Sequence, residues 1–111
     1  MAHMVVFAGE YDLASKTELR KEFNRLKSVE RVVLDMSEVT YFDSTFLSEL
    51  LSLQKTRREK RLQSVTVIAP SKSLVRKLFK VAGMLSLLNV VESYSNDSLD
   101  FVIEYAPVGQ V

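Results

Sequence analysis

Asp43, Ser44 and Thr45 are the residues of this chain whose types and spacing come nearest to chemistry. They follow the short apolar run Val39-Thr-Tyr-Phe42 and open a leucine-rich stretch that reads as a helix. A hydroxyl at a helix start has two uses. It caps orphan backbone N–H groups, worth about 1 kcal/mol, or it stands where those N–H groups and the helix dipole favour an anion. The residues alone leave both open, since nothing in a cap demands a phosphate. Asp35 and Asp43 flank one strand–turn–strand segment and in principle form an acid pair, although carboxylates at strand ends serve more simply as solvated or capping groups.

Other familiar chemistries fail for want of residues. Glycines at 9, 83 and 109 alone allow neither a GxGxxG fingerprint nor a Walker loop. The absence of cysteine excludes disulfides, thiolate zinc sites and cysteine nucleophiles. The single histidine, His3, lies in Met1-Ala2-His3-Met4, read here as a cloning scar with Met4 as the natural start. No Ser-His-Asp set can be built around it. No catalytic residue, cofactor site or metal site is therefore expected, and the chain reads as a binding module and not an enzyme.

The elements that must position Ser44 follow from periodicity. Met4 to Ala8 reads as a strand stopped by Gly9. Asp12 caps a helix from Leu13 to about Lys27 whose Leu19, Phe23 and Leu26 share one face, with Lys16, Arg20, Lys21 and Arg25 outside. Arg31 to Asp35 is a compact apolar strand of the parallel-sheet kind, followed by a turn through Ser37 and Glu38. The second helix runs from Asp43-Ser44-Thr45 to about Lys60 and buries Leu47, Leu50 and Leu51. Val65 to Ala69 is a strand closed by Pro70. The third helix carries Leu74, Val75, Leu78, Val81 and Ala82 as an apolar stripe and ends at Gly83. A helical turn near Leu85, a strand at Asn89 to Glu92, and a last helix from about Asp97 to Tyr105, stopped by Pro107, complete the chain. Alternation of this kind predicts an α/β fold with a four- to five-stranded, mostly parallel (mixed) sheet and about four helices.

At 111 residues the chain suits one domain, placed at residues 4–107. Apolar and charged fractions of 47% and 26% are ordinary for a globular protein, and a net charge of +1 argues against nucleic acid. No apolar run approaches the ~20 residues that span a bilayer, and Met4 to Ala8 is too short for a signal peptide, so a cytoplasmic protein is expected. The basic run Lys55, Arg57, Arg58, Lys60, Arg61 suits the C-terminal end of the second helix as a solvated turn, or else as a surface for an acidic partner.

The segment from Val32 to Leu50 resembles the STAS signature (sulphate transporter and anti-sigma factor antagonist): an apolar strand ending in Asp, a turn, an apolar pair, then Asp-Ser-Thr at a helix start. Gly9-Glu-Tyr-Asp12 with Leu19-Arg-Lys-Glu-Phe23 is similar to the family's Gly-x-x-Asp turn and first helix. Val65 to Pro70, Leu74 to Phe79 and Ala82-Gly-Met-Leu85 resemble its third strand, third helix and closing turn, so the likeness covers residues 5 to 105. The resemblance implies that Ser44 is the phosphate acceptor of a partner anti-sigma factor that is itself a serine kinase, with Thr45 as secondary acceptor. It implies a partner-binding surface at Asp12, Asp43, Ser44 and Thr45, on a monomer or weak dimer with no membrane insertion; Phe46, if exposed, would add a contact anchor, and Arg57 of the basic run a docking cation. The alternative is a phosphorylation-independent STAS scaffold in a transporter or signalling complex. Three departures stand out. Phe46 and Ser48 replace glycines after the acceptor, which would place a bulky ring at the docking surface. Lys60-Arg61 replaces a glycine pair. The family's strand before the Gly-x-x-Asp turn is not seen here, so that either the sheet has lost an edge strand, which would leave that edge open, or the natural start lies earlier.

Overall fold

The computed structural model describes residues 2–94 and 101–110. Five strands form one sheet in the order β4-β3-β2-β1-β5, and every pairing between them is parallel. The strands are β1 (Ala2–Tyr11), β2 (Arg31–Phe42), β3 (Thr66–Ile68), β4 (Asn89–Val91) and β5 (Phe101–Tyr105). Helices α1 (Lys16–Asn24), α2 (Ser44–Glu59) and α3 (Leu74–Val81) link β1 through β4, with 3-10 turns at Leu13–Ser15 and Met84–Ser86. The chain steps one strand at a time from β1 to β4, and right-handed crossovers then put all three helices on one face.

The α/β alternation predicted from sequence is present, with three corrections. First, Phe101–Tyr105 is a strand and not the end of a helix, while residues 97–100 of that expected helix lie outside the described residues. Phe-Val-Ile-Glu-Tyr is rich in β-formers, and the exposed edge of β1 supplies hydrogen bonds that a terminal helix turn cannot. This pairing closes the edge that the missing family strand was expected to leave open. Second, β2 is continuous through Ser37 and Glu38, because β1 runs beside it to Tyr11 instead of stopping at Gly9. The mismatch is absorbed by register shifts between Val6 and Ala8 and between Gly9 and Glu10. Gly9 has φ +88 in the middle of this strand, a conformation that glycine adopts without strain. Third, β1 begins at Ala2, two residues ahead of the strand expected from Met4, and Ala2 and His3 pair with both β2 and β5.

Two helix faces are rotated from the expected ones. α1 buries Leu19 and Phe23 as read, with Leu26 just beyond it. α2 buries Phe46, Leu50, Leu53, Gln54 and Arg57, while Leu47 is half-buried and Leu51 is exposed. Phe46 decides this rotation. Its ring lies 5.2–5.8 Å from those of Phe7, Tyr11, Phe23 and Phe42, and burying so large a side chain outweighs that of a leucine. α3 turns Val75 and Phe79 inward, with Phe79 4.9 Å from Phe42, and leaves Leu74 and Val81 exposed.

The helix ends match their residues. Gly83, at φ +72, follows the last turn of α3 and donates its N–H to the Lys80 carbonyl. α2 ends in the same motif with Arg61 at φ +58. There the Arg61 N–H bonds Arg58 O at 2.9 Å and the Leu62 N–H bonds Arg57 O at 2.9 Å. A non-glycine residue in that left-handed conformation costs about 1 kcal/mol or more, which accounts for the glycine that the family resemblance leads one to expect there.

Candidate functional site

Parallel strands β1 and β2 end side by side, with Tyr11 paired to Phe42, so Asp12 and Asp43 emerge together at the C-terminal rim of the sheet. In open α/β sheets this is the end where ligands and partners are received. The two aspartates do the same job. Asp12 Oδ1 accepts the Ala14 N–H at 2.9 Å and caps the 3-10 turn that leads into α1. Asp43 Oδ1 accepts the Thr45 N–H at 2.8 Å and caps α2, while its own N–H donates to Tyr11 O at 3.1 Å.

The cap of α2 is therefore Asp43, and neither Ser44 nor Thr45. This resolves the ambiguity left by the residue pattern. Ser44 is the first residue of the helix, exposed, and its hydroxyl makes no hydrogen bond among the described residues. Thr45 is half-buried beside it. Both line a shallow cavity of about 200 Å³ between α1 and α2, with Lys16 and Arg20 on one wall and Ser48 and Glu49 on the other. Arg20 Nε donates to Glu49 Oε1 at 2.8 Å across the mouth. A second cavity of about 190 Å³ continues the groove past this pair, toward Asn24, Lys27 and Ser52.

A strap from the C-terminal segment stiffens the rim. Glu10 N–H donates to Gln110 O and Gln110 N–H to Glu10 O, both at 2.7 Å, and Gly109 N–H reaches Ala8 O at 2.8 Å. The strap lies so close that a Cβ on Gly109 would stand 2.1 Å from Glu10 O. The Tyr11 hydroxyl accepts the Ala8 N–H and donates to Pro107 O, each at 3.0 Å. Burial holds the Tyr11 phenol above its ordinary value.

The structure brings together Asp12, Asp43, Ser44 and Thr45 and sets apart the other two residues expected at the partner surface. Phe46 is fully buried in the aromatic core, so it neither anchors a partner nor narrows the rim. Helical geometry points it inward, two residues past exposed Ser44. Arg57 lies about 20 Å along the helix from Ser44 and is fully buried. Its Nη1 donates to Leu26 O at 3.0 Å and Val29 O at 2.5 Å, and its Nη2 to Gln63 O at 3.0 Å and Glu30 O at 3.4 Å. Burial lowers its pKa from the ordinary arginine value. Arg57 ties together the turns that enter β2 and leave α2, and it is neither a solvated turn residue nor a docking cation. Asp35 and Asp43 do not form an acid pair, since Asp35 Oδ1 is taken by the Ser37 N–H at 3.0 Å and the Ser37 hydroxyl at 2.6 Å.

Sequence reasoning missed Lys16, Arg20 and Glu49 as neighbours of Ser44. The available signal was the i, i+4 spacing of Lys16 and Arg20 outside the apolar stripe of α1, on the helix that the topology sets beside α2. Among the described residues no group of three His, Cys, Asp or Glu is placed to hold a metal ion, and no helix is long and apolar enough to cross a membrane.

An all-parallel five-stranded sheet, three crossover helices and a hydroxyl-bearing helix start at the rim define a small α/β domain. A family model described as "Mlab, STAS domain" matches residues 2–89, and the chain belongs to the STAS domain family. Two solved structures share its fold. The anti-sigma factor antagonist SpoIIAA in its unphosphorylated form superposes with a TM-score of 0.61 at 15% identity, over 81% of this chain and 79% of that one. The Bacillus cell fate determinant SpoIIAA in its phosphorylated form superposes with a TM-score of 0.56 at 16% identity, over 80% of this chain and 82% of that one. No curated protein sequence matches the chain.

Proposed function

We propose that the chain is an anti-sigma factor antagonist-like switch, a non-catalytic domain of the cytoplasm. Through the rim at Asp12, Asp43, Ser44 and Thr45 it binds an anti-sigma factor that is also a serine kinase, and phosphorylation of Ser44 ends that binding. The observation that carries this reading is the exposed, unbonded hydroxyl of Ser44, left free because Asp43 makes the cap. The fold shared with a protein described in both unphosphorylated and phosphorylated forms supports it.

The chemistry belongs to the partner. The Ser44 Oγ attacks the γ-phosphorus of ATP, an O–P bond forms, the bond to ADP breaks, and the hydroxyl proton passes to a base on the kinase. The phosphate adds about −1.5 to −2 charges next to Asp43 and on the same rim as Asp12. A partner surface shaped for a small neutral side chain then meets concentrated negative charge. The fold itself needs no rearrangement, because no bond within it depends on the Ser44 side chain.

Titration of the partner kinase against variants tests the proposal. Ser44→Ala binds as the parent does, while Ser44→Asp and Ser44→Glu bind at least ~10-fold more weakly, a loss of ~1.4 kcal/mol. Equal affinity for all of them overturns the switch. The chain would then be a phosphorylation-independent scaffold, for instance of a transporter complex.

A further inference from the structure

We propose that Lys16 and Arg20 of α1 form a built-in receiver for the phosphate on Ser44, and that the phosphate takes Arg20 away from Glu49. This rests on the reading of Ser44 as the acceptor. Ser44 and both cations line one cavity of about 200 Å³, open to solvent and wide enough for a phosphate group with its water. Lys16 is half-buried there and makes no ion pair among the described residues. Arg20 is held only by Glu49 at 2.8 Å, and its side chain is 62% exposed where that of Glu49 is 13%, so the guanidinium is the partner free to turn toward a new anion.

The charges in the cavity favour exchange. Lys16 and Arg20 against Glu49 leave a net of one positive charge (2 − 1 = 1) on its walls. A phosphate dianion offers the guanidinium fork a better partner than one carboxylate. Asp43, the other acid beside Ser44, accepts the Thr45 N–H and makes no ion pair with either cation among the described residues. The off state thus differs from the on state in two ways: much of the phosphate charge is neutralised between α1 and α2, and the Glu49 carboxylate loses its Arg20 partner. Phosphorylation is read by a partner as a changed α1–α2 surface as well as a charged serine.

Phosphoserine installed at position 44 during translation tests the receiver without any kinase, so failure of the receiver and failure of the kinase reading give separate results. The second ionisation of the phosphate is followed by 31P NMR. In the parent it falls about half a pH unit or more below that of an unstructured phosphoserine peptide, near 6. Lys16→Met and Arg20→Met each raise it, and together they restore the peptide value. Glu49→Gln lowers it further by removing the competing carboxylate. Lys27→Met, in the turn that follows α1 and beyond the Arg20–Glu49 pair, leaves it unchanged, which separates a local receiver from general positive charge. Dispersed amide spectra check that each variant is folded. A peptide-like value in the parent, or a Lys27→Met effect as large as that of Lys16→Met, overturns the proposal.

Discussion

The two ends of α2 use polar residues in opposite ways. At the N-terminal end Asp43 satisfies the first turn and leaves Ser44 exposed with nothing to hold. At the C-terminal end Arg57 is fully buried, and its guanidinium holds four carbonyl oxygens of the surrounding turns. A charged residue in a basic run proves structural, and a small hydroxyl in a capping motif proves free. Burying a charge is costly unless its hydrogen bonds are made, so Arg57 is committed to the fold. Ser44 is available for something else.

That contrast is most easily broken at Arg57. Arg57→Ala strands four carbonyls and opens a cavity, and we expect a loss of ~3 kcal/mol or more in chemical denaturation. A loss below ~1 kcal/mol would return Arg57 to the surface role first read for it. Asp43→Ala removes the cap of α2 and is expected to cost about 1 kcal/mol while leaving Ser44 exposed. A negligible cost would mean that Ser44 or Thr45 takes over the cap, and with it that the hydroxyl is not free.

The rim that carries Ser44 also depends on pH through Tyr11. Burial raises its phenol above the ordinary value of 10.0, so the unfolded chain loses that proton first. The contribution is fully present below pH 10.0 and is lost as pH rises through the folded pKa. Tyr11→Phe, whose ring keeps its packing, should flatten the alkaline fall in stability, and an unchanged slope would contradict the assignment. The smallest effect is expected at Ser44 itself. Ser44→Ala should change stability by no more than ~0.5 kcal/mol, and a larger loss would show that the fold uses the hydroxyl.

Much of this molecule was legible in its residues, for identifiable reasons. Strand–helix alternation, the Leu19–Phe23 face of α1 and the stop at Gly83 all follow from local periodicity and turn chemistry. What escaped depended on partners distant in sequence. Phe101–Tyr105 takes its strand form from the edge of β1, on the far side of the sheet from β4. The face of α2 is set by the four rings that surround Phe46, all of them on other elements. The role of Arg57 comes from carbonyls on turns up to 31 residues away. At the site, Asp12, Asp43, Ser44 and Thr45 were identified from a motif, whereas Lys16, Arg20 and Glu49 became neighbours of Ser44 only through the packing of α1 on α2.

Phosphosite mapping tests the central claim most directly. The protein is incubated with the proposed anti-sigma kinase and ATP, and phosphate is located by mass spectrometry. The account predicts one phosphate on Ser44, absent in Ser44→Ala although that variant is as stable as the parent. An unmodified protein, with the kinase shown to be active on another substrate, would contradict it, as would phosphate that persists elsewhere in Ser44→Ala.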